Sequence, residues 1–63
     1  MSLGKNIKIA RIMKDLPQGE LAKLAHTTQP YLSLIEADTK KPSLKMLQRI
    51  ADALNTTMSE LMK

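Results

Sequence analysis

The sequence predicts an all-α fold of five short helices. Hydrophobic residues make up 43% of the chain, enough to build a core, yet Phe and Trp are absent, so that core must be packed from Leu, Ile, Met and Ala. Only 2 Gly and 3 Pro leave little scope for many tight turns. The apolar residues also recur at helical spacing. A length of 63 residues allows one core and not two, so residues 1–63 read as a single domain, near the lower size limit for unaided folding.

The first helix is expected over about Lys5–Lys14, where Ile7, Ala10, Arg11 and Lys14 share a stripe and Lys5, Lys8 and Ile12 lie off it. Asp15-Leu16-Pro17 ends it. The second helix is expected over Gln18–Ala25, with Leu21, Ala22 and Ala25 on one side and Glu20 in the first turn, where an anion suits the helix dipole. Gly19 weakens this helix by up to about 1 kcal/mol relative to Ala. His26-Thr27 is a tight break, and Thr28 is a good N-cap for a third helix over Gln29–Ala37. The polar run Asp38-Thr39-Lys40-Lys41-Pro42 reads as a loop. Ser43 caps a fourth helix, Leu44–Leu54, with Leu44, Leu47, Ile50, Ala51 and Leu54 as its apolar stripe. Asn55-Thr56 ends it. Thr57 with Glu60 then makes a capping box for a last short helix bearing Met58, Leu61 and Met62.

Composition narrows the function. Ten Lys and Arg against six Asp and Glu give a net charge of +4 and a pI near 9.7, which suits a polyanionic partner or merely a solubilising surface. The absence of Cys removes disulfides, thiol catalysis and thiolate-bound zinc, and fits a reducing, cytoplasmic setting. A single His builds no His-rich metal site. The acids Asp15, Glu20, Glu36, Asp38, Asp52 and Glu60 are scattered, and no phosphate-binding loop or nucleophile elbow is present. An enzyme is therefore not expected, nor a cofactor, a metal or a small-molecule substrate. No apolar run approaches the roughly 18 residues of a membrane span, no signal peptide is expected, and no long basic amphipathic helix suggests a membrane surface.

Two short helices joined by a break of about three residues read as a helix-turn-helix. The strings Leu16-Pro17-Gln18-Gly19-Glu20-Leu21-Ala22, Ala25-His26-Thr27-Thr28-Gln29, Tyr31-Leu32-Ser33-Leu34-Ile35-Glu36, Lys41-Pro42-Ser43-Leu44 and Ile50-Ala51-Asp52-Ala53-Leu54 sharpen that reading. Together they closely resemble the Cro/cI-type, or XRE-type, helix-turn-helix family of bacterial and phage transcriptional regulators. The resemblance covers nearly the whole chain without a gap. It implies a lambda-repressor-like DNA-binding domain in which helices two and three form the reader and helix three lies in the major groove. It further implies a transcriptional repressor that binds DNA as a homodimer.

The site residues follow position by position. By resemblance, Gln18 contacts the DNA backbone and supports a recognition-helix side chain; an ordinary exposed first-turn Gln is the alternative. Gln29 sits at the helix end that enters the groove, where its amide can pair with the N7 and N6 of adenine. Thr28 can cap the helix and reach a phosphate. At about 100° per residue, Thr28, Leu32, Ile35 and Glu36 face the core, while Pro30, Ser33, Leu34 and Ala37 point outward with Tyr31 and Gln29 at the edges. Pro30 and Leu34 depart from the polar pattern usual in the family. Such apolar residues can pack on thymine methyl groups, or they can form a protein-contact surface like that of an antitoxin or developmental switch. Lys41 and Lys45 are expected on phosphate, as members of a wider set that includes Lys5, Lys8 and Lys40. By resemblance, Arg11 and Glu36 form a salt bridge between helices one and three. His26 stands where the family usually has Gly in a left-handed turn, and Pro17 replaces its usual N-cap hydroxyl. Met58, Leu61 and Met62 either close the core or form a dimer contact.

Overall fold

In the computed structural model, which describes residues 2–63, the chain forms α1 (Leu3–Met13), α2 (Gln18–Leu24), α3 (Gln29–Glu36), α4 (Leu44–Ala53) and α5 (Met58–Leu61), with no strand among the described residues. Hydroxyl side chains open four of these helices. Ser2, Thr28, Ser43 and Thr57 each accept a hydrogen bond from the backbone N–H three residues on. At α2, Pro17 has no side-chain cap, and only its carbonyl receives the N–H groups of Glu20 and Leu21.

The helix ends share one solution. Asp15, His26, Asp38 and Asn55 stand just past α1 to α4 with φ of 56°, 58°, 60° and 56°. In each case the next residue donates back across the turn: Leu16 to Arg11, Thr27 to Ala22, Thr39 to Leu34 and Thr56 to Ala51. These are Schellman ends built without glycine, using the residue types that best tolerate the left-handed region. His26 is thus the turn residue its place in the sequence suggests.

Some expectations need correction. The α1 helix starts at Leu3 rather than Lys5, because Ser2 caps the Lys5 N–H at 3.1 Å and the Asp38 carboxylate accepts the Gly4 N–H at 3.0 Å. Hydrogen bonding to the Asp38 carboxylate itself, from the Ser2 hydroxyl first and the Gly4 N–H second, holds that carboxyl below the usual carboxylate range. Lys14 caps the end of α1 and is exposed instead of belonging to its core stripe. Leu44 is 73% exposed, since it occupies the first position of α4, beyond the reach of the core. Only half of the last capping box forms: Thr57 caps Glu60, but the Glu60 carboxylate turns to Lys63 at 2.6 Å.

The α2 helix packs on α3 and α4, α1 packs on α3, and α5 bridges α4 and α1. Ile7, Leu21, Leu32, Ile35, Ile50 and Leu54 are fully buried at the centre, each contributing about 1.5–3 kcal/mol by leaving water. Gly4 allows α1 to rest on the end of α3: a Cβ there would lie 2.7 Å from the Glu36 carbonyl oxygen and 2.8 Å from the Asp38 carboxylate. No helix among the described residues is long and apolar enough to cross a membrane.

Candidate nucleic-acid interface

The α3 helix divides into two faces. Leu32, Ile35 and Glu36 are buried, Tyr31 is half-buried against the core, and Gln29, Pro30, Ser33, Leu34 and Ala37 are exposed. The helical spacing foretold this division except at Thr28. That residue is exposed rather than core-facing, because its hydroxyl accepts the Tyr31 N–H at 3.3 Å, closing the first turn from outside.

A row of polar side chains runs from the interior to the tip of α3. Arg11 donates through Nε to Glu36 Oε2 at 2.8 Å and through Nη2 to Oε1 at 3.3 Å, while its Nη1 donates to the Leu16 carbonyl at 2.8 Å. Both side chains are largely buried, 13% exposed for Arg11 and 4% for Glu36. The expected pairing of α1 with α3 is therefore present. Glu36 Oε1 also accepts from Gln18 Nε2 at 3.1 Å, and Gln18 Oε1 accepts from Gln29 Nε2 at 3.5 Å. Four side chains from three helices thus lead from a buried ion pair to an exposed amide at the start of α3. Gly19 adds room: a Cβ at that position would stand 3.3 Å from Gln29 Oε1.

Lys8 and Arg11 of α1 line one cleft with Gln18 and with Ser33, Glu36 and Ala37 of α3. Lys8 therefore borders the exposed face of α3. The sequence places Lys8 in the wider set of candidate phosphate contacts but ranks it below Lys41 and Lys45, because nothing local shows that α1 lies against α3 at this point. Lys40 and Lys41 border a second groove with Leu3, Pro42, Leu44 and Met62, beyond the C-terminal end of α3. Lys45 is exposed in the first turn of α4. Gln29 thus opens α3, an 8-residue helix about 12 Å long, while Lys41 stands in the loop that follows its C-terminal end. At the other end of the chain, Leu61 is only 3% exposed and belongs to the core, so its side chain is not free for a dimer contact. Met58 packs partly buried against that core, and Met62 is 60% exposed.

The helix-turn-helix family model matches residues 7–61. The chain is 38% identical over 61 residues to the immunity repressor protein of Bacillus phage phi105, covering 97% of this chain and 42% of that protein. It is 42% identical over 59 residues to the ImmF control region 10 kDa protein of the same phage, covering 94% of this chain and 66% of the relative. The chain thus spans from under half to about two thirds of the length of these relatives. Among solved structures it is similar to SinR, the master regulator for biofilm formation, in complex with DNA: TM-score 0.90, 31% identity, 95% of this chain and 97% of that one. Tightly turned α2 and α3, a polar row feeding the tip of α3, and a match over almost all of the sequence lead to one conclusion: the chain belongs to the Cro/cI-type helix-turn-helix family.

Proposed function

We propose that this chain binds double-stranded DNA sequence-specifically, lays the exposed face of α3 in the major groove, and acts as a transcriptional repressor. The observation that carries the reading is the polar row that ends on Gln29, because it holds an exposed amide at the helix tip from a buried anchor. An amide held there meets the N7 and N6 of an adenine edge. Thr28, Pro30, Tyr31, Ser33 and Leu34 complete the reading face, with Leu34 and Pro30 facing thymine methyl groups. Lys41, Lys45 and Lys8 meet phosphates on either side of the groove. The relatives named as a repressor and a DNA-bound regulator support the same role.

The described residues extend 24 × 23 × 19 Å, shorter than the roughly 34 Å between successive major-groove openings on one side of a duplex. One copy accordingly reads one half-site, and two copies read a two-fold symmetric operator. Met62, with Met58 beneath it, offers apolar surface for the contact between copies. Residues 1–63 serve as one reading domain. The role is binding in the cytoplasm and requires neither catalysis nor a cofactor.

A second reading draws on Leu34, which is 39% exposed at the centre of the outward face beside exposed Pro30 and Ala37. That apolar strip would suit a protein partner of the antitoxin or developmental-switch kind. Replacing thymine by uracil in the bound duplex separates the two. If Leu34 touches a thymine methyl, the swap weakens the wild type but not Leu34→Ala. If Leu34→Ala leaves DNA affinity intact and instead abolishes a protein complex, the outward face is a partner surface.

A further inference from the structure

The α1 helix is apolar on two sides. Gly4, Ile7, Ala10 and Arg11 form the side that packs inward, and Ile7 is fully buried. About 160° round the helix from Ile7 stands Ile9, with Ile12 and Met13 one turn further along the same side. These three are 40%, 53% and 79% exposed. Single apolar side chains on a surface are ordinary, but three of the seven exposed large hydrophobics among the described residues fall on this one stripe. Their spacing of i, i+3 and i+4 is that of a helix face seated against another body. Ile9 and Met13 also wall a shallow groove of about 190 Å³, whose far side is Thr56 and Leu61.

The charges around the stripe select its occupant. From Leu3 to its Lys14 cap, α1 carries Lys5, Lys8, Arg11 and Lys14 and no acid. Arg11 is committed to Glu36, whereas Lys5, Lys8 and Lys14 are exposed and make no ion pair among the described residues. Lys5 lies on the stripe itself, four residues before Ile9, so its methylene stem can extend the apolar strip and its ammonium end it. Glu60, the carboxylate beside the groove, is paired with Lys63, and Asp15 stands past the helix end. A second copy would bring the same surplus, three lysines against Asp15, on a chain that also carries +4. An acidic partner meets the surplus instead.

We propose that the outward face of α1 is a docking site for an acidic amphipathic helix of another protein. Apolar residues of that helix pack on Ile9, Ile12 and Met13, and its carboxylates meet Lys5 at one end of the stripe and Lys14 about 14 Å further along α1. Contact between α1 and α3 runs through the opposite side of α1, where Arg11 meets Glu36. The site is therefore separate from the proposed reading face and does not depend on it.

The test is a display selection on the immobilised full chain, from a pool of helical peptides of about 15 residues, roughly four turns. Peptides with an apolar stripe and a net negative charge are expected to be enriched. Ile9→Gln and Met13→Gln are each expected to weaken the enriched peptide about tenfold. Met13 is largely exposed, so its substitution keeps the test readable even if Ile9→Gln loosens the fold. Lys5→Glu is expected to weaken the acidic peptide but not an analogue with Gln in place of its acids. No enriched peptide, an enriched peptide that is not acidic, or one whose affinity neither Ile9→Gln nor Met13→Gln lowers would overturn the proposal. So would a sedimenting oligomer of the wild type that Met13→Gln dissolves, which makes the stripe a contact between copies. Phosphatidylserine vesicles that bind the wild type but not Met13→Gln would overturn it too, by making the stripe a lipid-facing surface.

Discussion

Arg11 and Glu36 do more for this molecule than any exposed pair. The surface pair of Glu20 with Lys23, at 3.7 Å, adds at most a few tenths of a kcal/mol. The Arg11–Glu36 pair is bidentate and largely buried, so removing either partner strands a charge out of water. Arg11→Met or Glu36→Gln alone is expected to cost about 3 kcal/mol, and the double change less than their sum, with a coupling of about 0.5–3 kcal/mol. Urea unfolding of the four proteins measures this, and strict additivity would mean the side chains do not act as a pair. His26 makes the opposite kind of prediction. Its φ of 58° costs an L-residue about 1–2 kcal/mol, of which the greater freedom of unfolded glycine returns about 0.5–1. His26→Gly is therefore expected to raise the urea midpoint at an unchanged m-value, for a net gain of up to about 1 kcal/mol. A lower midpoint would show that the imidazole makes a contact worth more than the strain.

At the scale of elements, helix order and helix faces were legible in the sequence, because a period of 3.6 and hydroxyl caps are local signals. Leu32 and Ile35 went inward and Ser33 and Leu34 outward as their spacing required. Local signals failed where a distant group decides. The start of α1 depends on Asp38, which is 34 residues away, and the bond of Gln18 to Glu36 spans 18 residues with no period to announce it. Leu44 lies on the correct stripe but one turn too early to reach the core. The tightest of these distant dependences is Gly4, where α1 meets the carbonyls ending α3. Gly4→Ala must push the two helices apart and loosen the Asp38 bond, at an expected cost of about 1–3 kcal/mol. A drop in Tm of about 4–8 °C per kcal/mol is the readout, and an unchanged Tm would mean that the two helices can separate freely.

For the whole molecule, a net charge of +4, with Lys8 beside the exposed face of α3 and Lys40 and Lys41 beyond its C-terminal end, would give the proposed DNA binding a strong electrostatic part. Holding and reading are separable. Lys41→Ala is expected to weaken all duplexes alike and to lower the salt slope by about one, while Gln29→Ala costs about 1–3 kcal/mol on the preferred site alone and relaxes one position. Equal losses from both variants on every sequence would leave α3 without a reading role. On the proposed reading two copies span a full site, so the symmetry of the pair would be written into its target. Selection of bound duplexes from a random pool tests this most directly. The account predicts enrichment of a two-fold symmetric motif whose half-sites lie about one helical turn, near 10 bp, apart; a pool that emerges from selection with no enriched motif would contradict it.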